Sequence, residues 1–282
     1  MSTRITVLVN DEASEKGLAT EHGFALWIEH DGTKILFDTG STGRVLLQNA
    51  AALGIDVGQT EALVLSHGHY DHTGGLRALL PLVGGADLYA HPDAFIPKFS
   101  HSGSGWHPIG IGVSRDEIES SGVLVRLSAQ PQEVAEGATL CGEVRRDPRY
   151  VPTTPHLYAD SPGGKILDPF RDDQALILNG QSGVIVVAGC AHSGIINQCL
   201  ATQLLVNPRR LIGHDDIRAV LGGFHLNRAS KELLDATVAG FRQIAPASLH
   251  PAHCTGQAAT ETLLRAFPDT CQPIAAGSVL QF

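Results

Sequence analysis

Ser66-His67-Gly68-His69-Tyr70-Asp71-His72-Thr73-Gly74-Gly75 is the stretch on which the reading of this chain turns. Ahead of it stands the compact apolar run Ala62 to Leu65, which reads as a strand, and behind it Gly74 to Leu80 reads as a helix stopping before Pro81. A strand thus delivers four ligand-type side chains to a helix N-terminus. Side chains at i and i+2 of an extended segment lie on the same side, so His67 and His69 can reach one ion while Asp71 and His72 turn toward a second. Imidazole with carboxylate suits zinc, iron or manganese, and a catalytic ion needs about three protein ligands plus an open position for water. Four residues cannot close such a site. The plainer alternative, four polar residues in a surface loop, fits poorly with a buried-type strand before the cluster and a Gly-Gly helix start after it.

Working outward, the same arrangement of strand followed by ligand turn recurs. On the N-terminal side, strands are expected at Ile5 to Val9, Phe24 to Glu29 and Lys34 to Phe37, with His30-Asp31-Gly32-Thr33 as a hairpin turn. Asp38-Thr39-Gly40 follows the last of these, and Ser41 is expected to cap a helix from about Gly43 to Leu53. A strand at Asp87 to Ala90 ends at His91-Pro92. In the second half, strands at Gln174 to Leu178 and Val184 to Val187 lead to Gly189-Cys190-Ala191-His192-Ser193-Gly194. A helix from Ile195 to Val206 precedes a strand at Ile217 to Leu221, which ends at Gly222-Gly223-Phe224-His225. A helix from about Lys231 to Ile244, a strand at Ala247 to Leu249 ending in His250-Pro251-Ala252-His253, and a helix over Ala258 to Phe267 complete the pattern. Between about 93 and 173, Pro, Gly, Ser and charged residues break the periodicity, and this stretch is expected to be an irregular lid or insertion within a single domain spanning 1–282.

Paired strands followed by strand–helix alternation, twice over, suit an α/β protein of the α+β type: two β-sheets face to face with helices outside, a four-layer αββα sandwich with its ligand turns at one edge. On that plan His192 and His253 are the expected further metal ligands. His225 could equally touch substrate, and Cys190 could ligate as thiolate or pack as a small buried hydrophobe. Asp38 is expected to orient a ligand histidine or to cap its turn.

Composition bounds the partners. The 282 residues carry 20 Lys and Arg against 29 Asp and Glu, a formal charge of -9, which argues against a broad nucleic-acid surface. No run approaches 18 apolar residues, and MSTRITVLVN lacks a signal-type apolar core, so neither membrane nor secretion is expected and the cytoplasm is the expected location. The five cysteines are too scattered for a disulfide scaffold. A small-molecule substrate, anionic if Arg145, Arg146 or Arg171 serve it rather than merely face solvent, and at most a second copy of the chain are the expected partners.

The Phe37-Asp38-Thr39-Gly40 turn, the Ser66-to-Gly75 cluster and the later strand-end ligands resemble the metallo-β-lactamase superfamily. Within it, Glu21-His22-Gly23-Phe24, Asp172-Asp173-Gln174-Ala175-Leu176, Gly189-Cys190-Ala191-His192-Ser193-Gly194, Gly222-Gly223-Phe224-His225-Leu226 and His253-Cys254-Thr255-Gly256 are similar to the dihydropterin ribofuranosylaminobenzene 5'-phosphate synthase-like branch. The resemblance implies the αββα fold and two divalent ions, zinc foremost with manganese or iron as alternatives. His67, His69 and His192 would hold one, and Asp71, His72 and His253 the other. Two departures stand out. A bridging aspartate usually follows the glycine where Cys190 stands here, and the usual separate third histidine has no recognisable motif, leaving His91, His101, His107 and His156 as fallbacks to His192.

Two such ions would lower the pKa of a bound water from about 16 toward 7, making hydroxide available for hydrolysis of a phosphoester or related ester. Asp71 would hold or orient that nucleophile, and His225 or His22 would meet the oxyanion or leaving group. A pterin-linked synthase is the alternative within the branch. Cys190 and Cys254, beside His192 and His253, motivate a metal-dependent redox or sulfur-handling enzyme instead. A non-catalytic effector that binds a small molecule is a further alternative, disfavoured by the intact first cluster.

Overall fold

The computed structural model describes residues 2–206 and 217–282. Two sheets carry the molecule. The first runs in the order Val279–Gln281, Thr3–Val9, Ala25–His30, Thr33–Phe37, Ala62–Val64, Asp87–Ala90, Leu124–Leu127. The second runs Ser248–Ala252, Ile217–Gly223, Gly183–Ala188, Ala175–Gly180, Ala138–Leu140, Gln132–Ala135. Successive side chains of a strand point to opposite faces, and both sheets are apolar on both. In Ala25–His30, Leu26 and Ile28 enter the core between the sheets, whereas Ala25 and Trp27 face outward. In Gly183–Ala188, Ile185 and Val187 point inward, and Val184, Val186 and Ala188 point outward.

Helices cover the outer faces. Val45, Leu46 and Ala50 of Arg44–Ala52 pack on the first sheet. Ile195, Ile196 and Cys199 of Ile195–Val206, Phe241 and Ile244 of Lys231–Ile244, and Ala259 and Leu263 of Gln257–Ala266 pack on the second. Each such buried aliphatic or aromatic side chain stabilises the fold by about 1.5–3 kcal/mol relative to exposure. The result is helix, sheet, sheet, helix: the expected αββα sandwich. No helix among the described residues is long and apolar enough to cross a membrane.

Each half begins with a hairpin and continues in parallel strands. Ala25–His30 and Thr33–Phe37 pair antiparallel across a tight turn in which Asp31 (φ 47°) and Gly32 (φ 93°) are both left-handed, the conformation that matches strand twist. Thr33–Phe37, Ala62–Val64 and Asp87–Ala90 are then parallel, as are Gly183–Ala188, Ile217–Gly223 and Ser248–Ala252 in the second half. Parallel strands end at the same edge, so Asp38, Ser66, Gly189, Phe224 and His253 emerge together, where open α/β sheets place their ligands.

Three local expectations change. The stretch 93–173 is ordered rather than irregular: Lys98–Ser102, Gly105–Pro108, Leu157–Ala159 and Ile166–Leu167 form a separate four-stranded sheet. Leu124–Leu127 extends the first main sheet, and Gln132–Ala135 with Ala138–Leu140 extends the second. Its short strands sit among turn-forming residues, which hide a period-two pattern. Gly43 (φ 70°), not Ser41, caps the first helix, because the Ser41 hydroxyl is drawn to the His22 carbonyl. The helix expected over Gly74 to Leu80 is only the short turn Leu76–Leu79, separated by Gly74 and Gly75 from a second short turn, Tyr70–Thr73, ahead of it.

Candidate metal centre

Five turns converge at the shared edge and bring ligand-type side chains into two groups. Within each, the candidate ligand atoms all lie within 4.8 Å of one another: His67, His69 and His192 in the first, Asp71, His72 and His253 in the second. His67 and His69 leave the end of their strand on one side, while the turn Tyr70–Thr73 swings Asp71 and His72 to the other. Cys190 connects the groups, since its Sγ lies within the same 4.8 Å of a nitrogen of His67 and one of His72. His253 Nε2 and His72 Nε2 stand 3.3 and 3.7 Å from Asp71 Oδ2.

Hydrogen bonding decides which nitrogens are free. Asp38 Oδ2 accepts from His72 Nδ1 at 2.7 Å and from Ser66 Oγ at 2.7 Å, and Oδ1 accepts from the Ser66 amide at 2.8 Å. Because the Ser66 hydroxyl spends its one proton on Asp38, it accepts from His67 Nδ1 at 2.9 Å. One buried carboxylate therefore fixes the tautomer of a histidine in each group. On the far side, Asp11 Oδ2 accepts from His253 Nδ1 at 2.6 Å. The Nε2 atoms of His67, His69, His72 and His253, and both ring nitrogens of His192, are left buried with no partner. Unpaired buried polar atoms are costly, and six imidazole nitrogens turned toward one another in two triads are what a pair of cations would satisfy. The residues fit the ions that the sequence implies.

Electrostatics agree. Burial, reinforced by the neighbouring imidazoles, holds His67 and His192 well below the ordinary histidine range, hence neutral and able to ligate. Burial pushes the Asp71 carboxyl up, but His72 and His253 overcome it and hold the group ionised. Burial likewise opposes protonation of His253, yet Asp11 and Asp71 raise it well above the usual range. Cys190 is pushed up by burial and by Cys254, whose Sγ lies 3.0 Å away; burial notwithstanding, contacts with Cys190 and His225 push Cys254 down.

The backbone is bent to serve this geometry. Of the seven non-glycine residues with left-handed φ among the described residues, Asp38, Phe170, Ala191, His225 and His253 line the site or its supports, at about 1–3 kcal/mol each. Gly189 packs where a Cβ would overlap the Ser66 hydroxyl and crowd Asp38, so the two halves close only around glycine.

His225, expected near the reacting groups, lies at the rim with Nδ1 3.1 Å from Cys190 Sγ and its ring 4.1 Å from that of His192. His22 sits over the second group, Nε2 3.4 Å from Asp71 Oδ2, with Nδ1 bonded to Asp11. The fallback histidines stay outside both groups: His91 accepts from the Asp93 amide, His101 packs on Trp106, and His107 meets Ser102 and Ser104. His156 faces a neighbouring cavity with His225. Arg145 and Arg146 line a different cavity, and Arg146 Nη2 donates to the Phe170 carbonyl.

Sequence reasoning missed the supports. Asp11 bridges His253 and His22. Lys98, buried, pairs with Asp168 at 2.8 Å and Asp172 at 3.0 Å. Asp172 also accepts from the Gly68 amide, fixing the turn between His67 and His69. Asp173 accepts from the Ser193 amide and hydroxyl and from Gln198, anchoring the turn that carries His192. The only sequence signal was the Asp172-Asp173 pair after an irregular run.

Residues 19–196 match the model of the metallo-beta-lactamase superfamily. The chain is 28% identical, over 93% of its length and 90% of the relative's, to 7,8-dihydropterin-6-methyl-4-(beta-D-ribofuranosyl)-aminobenzene-5'-phosphate synthase of Methanocaldococcus jannaschii. It is 33% identical to an uncharacterized protein of the same organism, covering 89% and 90% of the two chains. Its fold matches the crystal structure of Tm1679, described as a metal-dependent hydrolase of the beta-lactamase superfamily, with TM-score 0.81, 29% identity and coverage of 99% and 98%.

Proposed function

The chain belongs to the metallo-β-lactamase superfamily and is an enzyme of that fold, and from that premise we propose that it hydrolyses a phosphoester or related ester of a small molecule with the help of two divalent cations, zinc foremost. The observation that supports this reading is the facing pair of three-residue groups whose buried imidazole nitrogens have no protein partner. His67, His69 and His192 would hold one cation, Asp71, His72 and His253 the other, with the Cys190 sulfur between them. Such cations supply Lewis acidity, lowering the pKa of water and polarising a substrate oxygen.

The chain's own residues do the rest. Asp71, kept ionised by His72 and His253, orients the attacking water. Asp38 holds His72 directly and His67 through Ser66, so both imidazoles keep one orientation through turnover. His225, at the rim, donates to charge developing on the substrate. The test is a screen of phosphomonoesters, phosphodiesters, lactones and β-lactams under zinc, manganese and iron, run with the native chain and with Asp71→Ala. Turnover by the native chain, reduced about 100-fold or more in a folded Asp71→Ala, is expected for loss of a carboxylate that holds a cation and positions the water. Undiminished turnover in the variant contradicts the role.

A second reading draws on the Cys190 and Cys254 sulfurs standing 3.0 Å apart beside the candidate ligands: a metal-dependent redox or sulfur-handling enzyme. Iron as the retained metal, with a visible absorption band that Cys190→Ser abolishes, would favour it. A pterin-linked synthase draws on the name of the 28% identical relative, and product analysis with a dihydropterin substrate would test it.

A further inference from the structure

We propose that the cavity beside His225 is the seat of the substrate's anionic group, a phosphate-type oxyanion held chiefly by Arg228, an inference that rests on the phosphoester reading above and specifies its recognition. The cavity encloses about 140 Å³ and is lined by Thr153, Thr154, His156, His225, Asn227 and Arg228 among others. Every polar side chain in that lining can donate a hydrogen bond, and none is a carboxylate. With a water occupying roughly 30 Å³, the space is large enough for one tetrahedral oxyanion together with a few waters.

Charge makes the case specific. The Arg228 guanidinium and the His156 and His225 rings share this lining, and no carboxylate stands among them to balance the guanidinium. Among the described residues the Arg228 guanidinium has no hydrogen bond or ion pair, although the chain carries 29 Asp and Glu. The cavity lined by Arg145 and Arg146 differs. Arg145 and Arg146 share it with Glu143 and Asp147, so its charge is already balanced, and Asp147 also pairs with Arg149. A guanidinium left unpaired in an acidic protein, beside threonine hydroxyls and an amide, is a fork for an oxyanion.

Position completes it. His225 forms a wall of this cavity and at the same time lies 4.1 Å from the His192 ring and 3.1 Å from Cys190. Its left-handed φ of 49°, after Gly222-Gly223-Phe224, aims the ring along that boundary. A phosphoester whose non-bridging oxygens sit here keeps its phosphorus and scissile bond on the His225 side, facing the candidate metal centre.

The experiment is calorimetric titration of inorganic phosphate into the full chain, with and without prior removal of divalent cations, for the native protein, Arg228→Ala, Arg228→Lys and Arg145→Ala. Saturable binding that survives cation removal, weakens about tenfold or more in Arg228→Ala, recovers in part in Arg228→Lys and is unchanged in Arg145→Ala supports the seat. Phosphate binding insensitive to Arg228→Ala, binding lost only on cation removal, or no binding at all overturns it. The two readings fail separately. Arg228-dependent phosphate binding in a cation-loaded protein that hydrolyses no ester removes the hydrolase reading and keeps the seat, whereas phosphoester turnover with KM unchanged in Arg228→Ala removes the seat and keeps the hydrolase.

Discussion

The two ligand groups are built from the same turn yet sit in different surroundings. His67, His69 and His192 are closed in by Phe170, which stacks on His192 at 4.3 Å, and offer only nitrogen. Asp71, His72 and His253 include a carboxylate and lie under His22 and Asp11, whose side chains are 59% and 37% exposed. The Asp71 side chain is 12% exposed against 6% for His69, so the second group is the less enclosed of the two. On the reading proposed above, the enclosed all-imidazole group would be the slower to exchange a cation, and the less enclosed group with ionised Asp71 would be the one that meets substrate.

The most severe way to break this division is Gly189→Ala. Its Cβ would strike the Ser66 hydroxyl and press on Asp38, disturbing supports that serve both groups at once. We expect loss of both cations, with destabilisation of about 3 kcal/mol or more from overpacking a buried polar network, readable by denaturant unfolding and metal analysis. A variant with native stability and native metal content would show that the halves are not locked at this point.

Next is Lys98→Met, which strips the cation from buried Asp168 and Asp172 beneath the closed group. Loss of about 3–5 kcal/mol is expected, because two carboxylates are left buried without their partner. The same network sets an acid limit. Although burial pushes the Asp168 carboxyl up, His69 and Lys98 hold it down to about 2. A carboxyl depressed in the fold binds its proton more readily when unfolded, so its contribution is complete above about pH 4 and disappears as pH falls through about 2. Unfolding midpoints followed from pH 6 to pH 2 should therefore fall over that window, and in Lys98→Met the fall should be smaller, because the carboxyl is no longer held down by the ammonium. Identical acid profiles would remove the network from the stability of the site.

The smallest effect sharpens the contrast. Asp11→Asn keeps a hydrogen-bonding oxygen beside His253 but removes the charge, so affinity for the cation of the open group should weaken about 10- to 100-fold while the closed group is unaffected. Competition with a chelator reads the two affinities separately, and parallel weakening of both would erase the distinction between them.

The same contrast governs what the sequence revealed. His67, His69, Asp71, His72, His192 and His253 were legible because each follows a strand whose apolar run is visible, and parallel strands deliver their ends to one edge. Asp38 was legible for the same reason. The helices at 195–206 and 231–244 announced themselves through length and periodicity. Asp11, Lys98 and Asp168 were not legible, because pairs such as Asp11 with His253, 242 positions apart, and Lys98 with Asp168, 70 apart, exist only once the sheets have closed. The short strands between 98 and 167 were hidden because strands of two to five residues carry too few alternations to outweigh the turn residues around them.

All of this depends on two cations sharing the space between the halves. The decisive quantity is the number of divalent ions bound per chain, measured by elemental analysis on folded native protein, His192→Ala and His253→Ala. Two ions in the native chain, falling to one in each variant, with the His253→Ala protein retaining the ion of the closed group, is the expected result. A native chain that binds none, or a stoichiometry that neither substitution changes, would contradict it.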